Sequence, residues 1–300
     1  MKYYDLTFSI AGKYLHTYFA DKIDGRELLD SYAPFYVENA EGPLMTDILI
    51  EEGLVSTIAE GKEVGQFDCG GCNHGVWLLP DGGYKMVISD VNGRTACAFR
   101  SSADFSKCEV SLFGDIYTKS YGLNNAIMIA FAFSGAREKL ILMHSSVTMN
   151  AGKGYLFLGV SGTGKSTHSD LWVKHIEGSE ILNDDNPAVR LLDDGTVRVY
   201  GTPWSGKRNY YKQMSVPIGA FVRLEQAPIN EIQRKTPLEA FAVILSSTST
   251  MIWDKDSYMD ISDTISEIAM RTPLFHLKNK PEPEAARMSY EAVMACQDKK

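Results

Sequence analysis

Residues 159–166 read Gly-Val-Ser-Gly-Thr-Gly-Lys-Ser and satisfy G-x-x-x-x-G-K-[ST] at every fixed position. The run Gly154–Leu158 before them is apolar, as in a buried strand, and Ser166–Ile176 after them carries Leu171, Trp172 and His175 at helical spacing. Strand, glycine-rich loop and helix is the order a phosphate loop requires, so the chain must contain an α/β layer built around this segment. At average residue frequencies the pattern arises by chance in roughly 1% of chains of this length, and the flanking elements lower that further.

The spacing has a mechanical reason. Glycines let the backbone curl until successive N–H groups point inward at a phosphate, where side chains would block the approach. Lys165 then reaches the β- and γ-phosphates, the Ser166 hydroxyl sits on Mg²⁺, and the N-terminus of the following helix adds partial positive charge. Gly159, Ser161, Gly162, Thr163, Gly164, Lys165, Ser166 and Thr167 are therefore the expected ATP-binding residues, on a loop read as an exposed device. A dinucleotide fold is disfavoured, because the third glycine of its fingerprint would have to stand at Thr167.

Composition narrows the partners. The chain has 300 residues, is 44% hydrophobic and carries a formal charge of −8, which fits a globular protein with real cores. No basic run exceeds Lys299-Lys300, so no nucleic-acid partner is expected. The longest apolar run, Ala126–Phe133, is far short of the roughly 20 residues of a membrane span, and Met1–Asp5 does not open a secretory signal. Five cysteines, an odd number, suit a reducing, cytoplasmic setting. Cys69-Gly-Gly-Cys72 with His74 nearby has the spacing of half a zinc site, but lacks a matching second half, so turn or buried cysteines are expected instead.

The first third alternates apolar and polar residues at Leu6–Ile10, Tyr84–Ile88, Thr95–Phe99 and Val110–Leu112, separated by Ala11-Gly12, Asp81-Gly82-Gly83 and Asn92-Gly93. That pattern predicts an antiparallel β-rich region over residues 1–118. The pattern changes beyond it. Asn124–Ala136 reads as a buried helix, Leu140–His144 as a strand, Leu191–Val197 as a hairpin, Gly219–Leu224 as a strand, and Pro237–Leu245 and Ile261–Arg271 as helices. Residues 119–300 are thus expected to form the nucleotide-binding domain.

Phosphoryl transfer needs a metal contact and a group that takes a proton from the attacking hydroxyl. Asp184-Asp185 stands some twenty residues beyond Lys165, where a neighbouring strand would end beside the loop. Adjacent side chains on a regular strand point to opposite faces, so both can serve only if the strand ends or twists there, which Asn186-Pro187 favours. Asp193-Asp194 reads as a solvated turn. His144 is expected at the end of the strand preceding the loop strand, within reach of the loop and Asp184. Gly201–Arg208, with Trp204, Lys207 and Arg208, is the candidate substrate loop.

Together these residues resemble the HPr kinase/phosphorylase family and its HPr-kinase-like serine kinase relatives. In that family a strand-borne histidine precedes G-x-S-G-x-G-K-S and an Asp pair follows, matched here by His144, Gly159–Ser166 and Asp184-Asp185. The relatives are also similar at Gly201–Lys207, Gly219–Gln226 and Arg271–Leu277, so the resemblance spans residues 124–295. It implies an α/β P-loop kinase domain of the HPr kinase C-terminal and phosphoenolpyruvate carboxykinase-like type, preceded by the β-rich region. Lys165, Ser166 and Asp185 would hold Mg-ATP with Asp184 as base toward a seryl hydroxyl, and Ser166, Asp184 and Asp185 would supply the metal oxygens. One departure is Arg198, which stands where true HPr kinases carry a metal-holding Glu; a single Mg²⁺ and no tightly held transition metal are expected, with a cation near the phosphates offsetting the missing charge. The implied partners are the nucleotide and a hydroxyl acceptor on a protein, peptide or small molecule, self-association into a homo-oligomer being left open. ATP-dependent phosphoenolpyruvate carboxykinase, similar in its loop and Asp pair, and an ATP-binding regulatory module without transfer are the alternatives.

Overall fold

A computed structural model describes residues 2–53, 61–69 and 72–297, without the side chains of Asp68, Cys69, Cys72, Asn73, Lys207 and Gln297. The chain divides into two compact units, Met1–Glu138 and Lys139–Lys300.

The first unit is built on strands β1 (Tyr3–Ile10), β2 (Lys13–Ala20), β3 (Tyr36–Val37), β4 (Leu44–Glu52), β5 (Lys62–Cys69), β6 (Cys72–Leu78), β7 (Tyr84–Ser89), β8 (Thr95–Ser101) and β9 (Lys107–Leu112). They form one sheet in the order β3-β1-β2-β4-β9-β8-β7-β6-β5. Ala11 and Gly12, with φ of 52° and 71°, make the tight turn joining β1 to β2, as their sequence predicts. The sheet is not wholly antiparallel: β4 runs parallel to both β2 and β9. Turn dipeptides announce local hairpins, whereas the return from β2 to β4 is made by helix α1 (Gly25–Leu28) and a 3₁₀ turn over Asp30–Phe35, which carry no such signature.

Helix α2 (Ile116–Ser134), capped by Asp115 accepting from the Thr118 N–H at 2.8 Å, lies against β4, β7, β8 and β9. It starts earlier than the expected Asn124, and it belongs to the first unit because its apolar residues cover that sheet. The units consequently divide at 138/139 and not at 118/119. His74 is buried and accepts from the Ser89 N–H at 3.3 Å; the side chains of Cys69 and Cys72, which the zinc spacing concerned, lie outside the described residues.

The second unit comprises β10 (Leu140–Leu142), β11 (Ser145–Asn150), β12 (Lys153–Leu158), α3 (Lys165–His175), β13 (Glu180–Asp185), β14 (Ala188–Leu191), β15 (Val197–Tyr200), β16 (Ser215–Gln226), β17 (Glu231–Arg234), α4 (Pro237–Ser246), α5 (Lys255–Arg271), β18 (Leu274–Asn279) and α6 (Pro283–Gln297). Its sheet runs β10-β14-β15-β16-β12-β11-β13, with β18 pairing both β16 and β17. β16 is parallel to β12 and to β18, so three strands end at the same edge as the glycine loop. α3 and α6 close over this part of the sheet, where Phe157, Trp172, Val222, Leu277 and Val293 form a buried cluster. The Trp172 indole N–H donates to Ser289 Oγ at 2.8 Å, so the largest side chain in the cluster is satisfied as well as buried.

His144 reaches the loop by a different route from the one expected. β10 does not neighbour β12; the intervening strand is β11, hydroxyl-rich and without an apolar run, yet buried along its whole length. β11 is antiparallel to β12, with Ser145 opposite Leu158. His144 therefore stands at the start of β11, beside the point where β12 gives way to the glycine loop.

Among the described residues no helix is long and apolar enough to cross a membrane.

Candidate functional site

The glycine loop occupies residues 159–164 between β12 and α3. Gly164, the residue before α3, has φ of 102°, a value that an L side chain rarely adopts, which is why the third glycine is required there. Thr163 closes the loop, its N–H and Oγ1 both donating to Val160 O at 3.2 and 2.7 Å. Among the described residues the other backbone N–H groups of 160–164 form no hydrogen bond within the protein, which leaves a row of donors for an anion. Gln226, at the end of β16, donates to Gly162 O at 3.2 Å and steadies the loop from outside.

Lys165 is not exposed. It is 9% accessible, and its Nζ donates to Gly159 O at 2.9 Å and Val160 O at 3.4 Å, and lies 2.8 Å from His144 Nε2. Burial lowers its pKa, partly offset by Asp185 and Asp184. On the other side of the imidazole, His144 Nδ1 lies 3.0 Å from Asp185 Oδ1. With Lys165 protonated, Nε2 must accept and Nδ1 must carry the proton donated to Asp185. Lysine, histidine and carboxylate thus form one linear relay.

The two carboxylates face different surroundings. The expected twist at the end of β13 is present: Asp185 has φ of 132°, a strained value for an L residue. Its side chain remains about one-third exposed, at 34%, whereas that of Asp184 is 7% exposed, with Oδ2 3.4 Å from Arg208 Nε. Arg208 also donates to Ser166 O at 3.3 Å, pairs with Asp170, and lies over the Tyr210 ring at 4.8 Å. This guanidinium ties the first turn of α3 to the acidic strand.

The segment 201–212 runs along the free edge of β13. Asn186 N donates to Trp204 O, Asp184 N to Tyr210 O, and Lys212 N to Leu182 O, all within 3.0 Å. Trp204 is buried, at 3% exposure, and anchors this segment instead of offering a face to a ligand. The side chain of Lys207 lies outside the described residues. Arg198 does not approach the loop: its guanidinium is committed to Ser215 O and Oγ at 2.9 and 3.0 Å on the adjoining strand. Among the described residues the guanidinium beside the acidic pair is that of Arg208.

The donor set suits a hard cation. Ser166 Oγ makes no hydrogen bond among the described residues, and Asp184 and Asp185 add carboxylate oxygens. Also among the described residues, no group of three or more His, Cys, Asp or Glu gathers to hold an ion by itself. An ion here must complete its shell with water and phosphate oxygens, as magnesium characteristically does.

Sequence reasoning missed Asp170, Tyr210, Arg223 and Gln226. Asp170 comes from α3 and Tyr210 from the segment beside β13, while Arg223 and Gln226 both come from β16, within Gly219–Gln226, a stretch that the sequence marked as a strand and as similar to the relatives without pointing to either side chain; only the sheet order brings β16 to the loop.

No family model matches the chain, and no curated protein matches it. Among solved structures, it is similar to the Hpr(Ser) kinase/phosphatase from Coxiella burnetii, over 53% of this chain and 91% of that one, at 11% identity and a TM-score of 0.33. A likeness at that level transfers no residue role to this chain.

Proposed function

We propose that the chain is an ATP-dependent phosphotransferase acting on a hydroxyl acceptor. The observation that carries this reading is the relay in which His144 links the Lys165 ammonium, itself held by two carbonyls of the glycine loop, to Asp185. The N–H row, Lys165 and the N-terminus of α3 bind the phosphates, and Ser166 and Asp184 would hold Mg²⁺, which would supply positive charge against the phosphates. Arg208 fixes the Asp184 carboxylate toward that side. Asp185, more exposed and bonded through one oxygen to His144, takes the acceptor proton. The acceptor oxygen bonds to the γ-phosphorus as the bond to the β–γ bridging oxygen breaks, and ADP leaves with that electron pair.

This division of labour differs from the role that the resemblance implies for Asp184, and one set of variants tests it. Asp185→Asn is expected to lower turnover by about 10²–10⁴ with little change in Mg-ATP affinity, the usual loss for a positioned base. Asp184→Asn and Lys165→Met are expected to weaken Mg-ATP binding itself, measured by calorimetry. The opposite pattern for the two Asp variants returns the base to Asp184. Unchanged Mg-ATP affinity in Lys165→Met removes the nucleotide reading altogether.

A further inference from the structure

The glycine loop is flanked by two cavities of similar size that share Gly159, Val160 and Arg223 in their linings. One, of about 340 Å³, lies between Gly159-Val160, His144 and the turn Ser246–Ser249 that follows α4. The other, of about 320 Å³, lies along Gly162-Thr163 and is bounded by Glu225 and Gln226. Arg223 lines both. Only the first contains His144, so only the first opens on the reacting end of the relay; the second accompanies the loop away from it. We propose that the first cavity is the acceptor's subsite, and that it selects a small hydroxyl compound carrying a carboxylate or phosphate ester, which Arg223 pairs with. This rests on the phosphotransferase reading above.

The lining argues for the charge. No carboxylate borders the cavity, while Arg223 brings a permanent cation whose guanidinium makes no hydrogen bond or ion pair among the described residues. Ser246 and Thr248 spend their hydroxyl protons on Val243 O and Ile244 O, both at 2.8 Å. Ser247 and Ser249 do not, and their hydroxyls remain available to donate. Arg223, Ser247 and Ser249 thus give the cavity donors that no described residue satisfies, which favours an acceptor-rich, anionic ligand. The wall is also fixed in register with the catalytic strand. His144 N donates to Ser247 O at 2.7 Å and Ser249 N to Leu142 O at 3.0 Å, so the turn and the imidazole share one backbone frame. At this volume, near the lower end of the roughly 300–1,000 Å³ of small-molecule sites, the space suits a compact metabolite-sized acceptor. Its hydroxyl, placed toward His144 and Asp185, loses its proton to Asp185 as its oxygen bonds to the γ-phosphorus and ADP departs.

The test uses the full chain with D-glycerate, 3-hydroxypropanoate and sn-glycerol 3-phosphate as anionic probes, and glycerol and D-glyceramide as uncharged ones. Binding is followed by calorimetry in the presence of magnesium and a non-hydrolysable ATP analogue, and transfer by ADP release with Mg-ATP. At least one anionic probe is expected to bind and to accelerate ADP release, and the uncharged probes to do neither. Arg223→Gln should weaken that probe about 10- to 100-fold, the worth of a charge-assisted pair, with Mg-ATP affinity within about twofold. Arg223→Lys should recover part of the loss, and Ser249→Ala, an exposed change, should cost a few-fold. Equal binding of charged and uncharged probes, binding of none, transfer only to peptides or proteins, or a loss of Mg-ATP affinity in Arg223→Gln with the probes unaffected would each overturn the proposal. Intact nucleotide binding with failed probes sinks the subsite alone, whereas failure to bind Mg-ATP takes both readings down.

Discussion

His168 shows how much one side chain can matter outside the relay. It faces the core from α3, its Nε2 lies 3.0 Å from Ser289 Oγ, and its Nδ1 is buried without a hydrogen-bond partner. Ser289 already donates to Ala286 O, so it accepts from His168, which is thereby fixed as the Nε2–H tautomer. Burial lowers its pKa to about 4 from the ordinary 6.5. Between those values the unfolded chain binds the proton that the folded chain refuses, so stability rises with pH through that window. His168 weakens the fold progressively below pH 6.5, by about 2 kcal/mol at pH 4.5. Urea titrations at pH 7 and 4.5 should show an acid loss in the parent larger by about that amount than in His168→Gln. Equal losses in the two proteins would mean the imidazole is protonated in place. Nothing in the sequence singled out this residue: the helical spacing drew attention to Leu171, Trp172 and His175, and the buried face of α3 proved to be Lys165, His168, Ser169 and Trp172.

At the scale of elements, the segment 201–212 decides whether Asp185 can hold its strained backbone. Gly206, at φ of 62°, packs so tightly that a Cβ there would come within 3.1 Å of both Cβ and Oδ2 of Asp185. Gly206→Ala is expected to cost about 1–2 kcal/mol from the left-handed backbone and, by displacing the carboxylate, to lower turnover about tenfold. Gly152→Ala is the control. Gly152 has φ of 73° with nothing within 4 Å, so it should lose similar stability and no activity. Equal activity in the two variants would show that the segment does not position Asp185. Elements with local signals were legible in the sequence: the glycine loop, the Ala11-Gly12 turn, the twist before Asn186-Pro187 and the helix at Pro237, whose Thr236 and Glu239 form a reciprocal cap. β11 was not, because Ser145, Ser146 and Thr148 are buried hydroxyl residues that break strand alternation. Its absence misplaced His144 by one strand while leaving it at the right end of the loop. The pairing of Arg208 with Asp184 and the isolation of Arg223 were invisible for a different reason, since both depend on which strands share an edge.

At the scale of the whole molecule, every group used above lies in one unit. The loop, the relay from Lys165 to Asp185, Arg208 and both flanking cavities are contained in residues 139–300, whose sheet and covering helices supply their own buried cluster. Helix α2, which the sequence reading placed with the nucleotide domain, covers the first sheet instead, and among the described residues every strand of the second sheet pairs within residues 139–300. A chain of about 160 residues is also long enough to support an independent core. Residues 139–300 expressed alone are therefore expected to unfold cooperatively in circular dichroism and to bind Mg-ATP within about threefold of the full chain's affinity. A fragment that folds but loses nucleotide binding would mean that residues 1–138 contribute to the site. A fragment that melts without a cooperative transition would mean that the second sheet cannot stand without the first, and the boundary at 138/139 would not mark an independent folding unit.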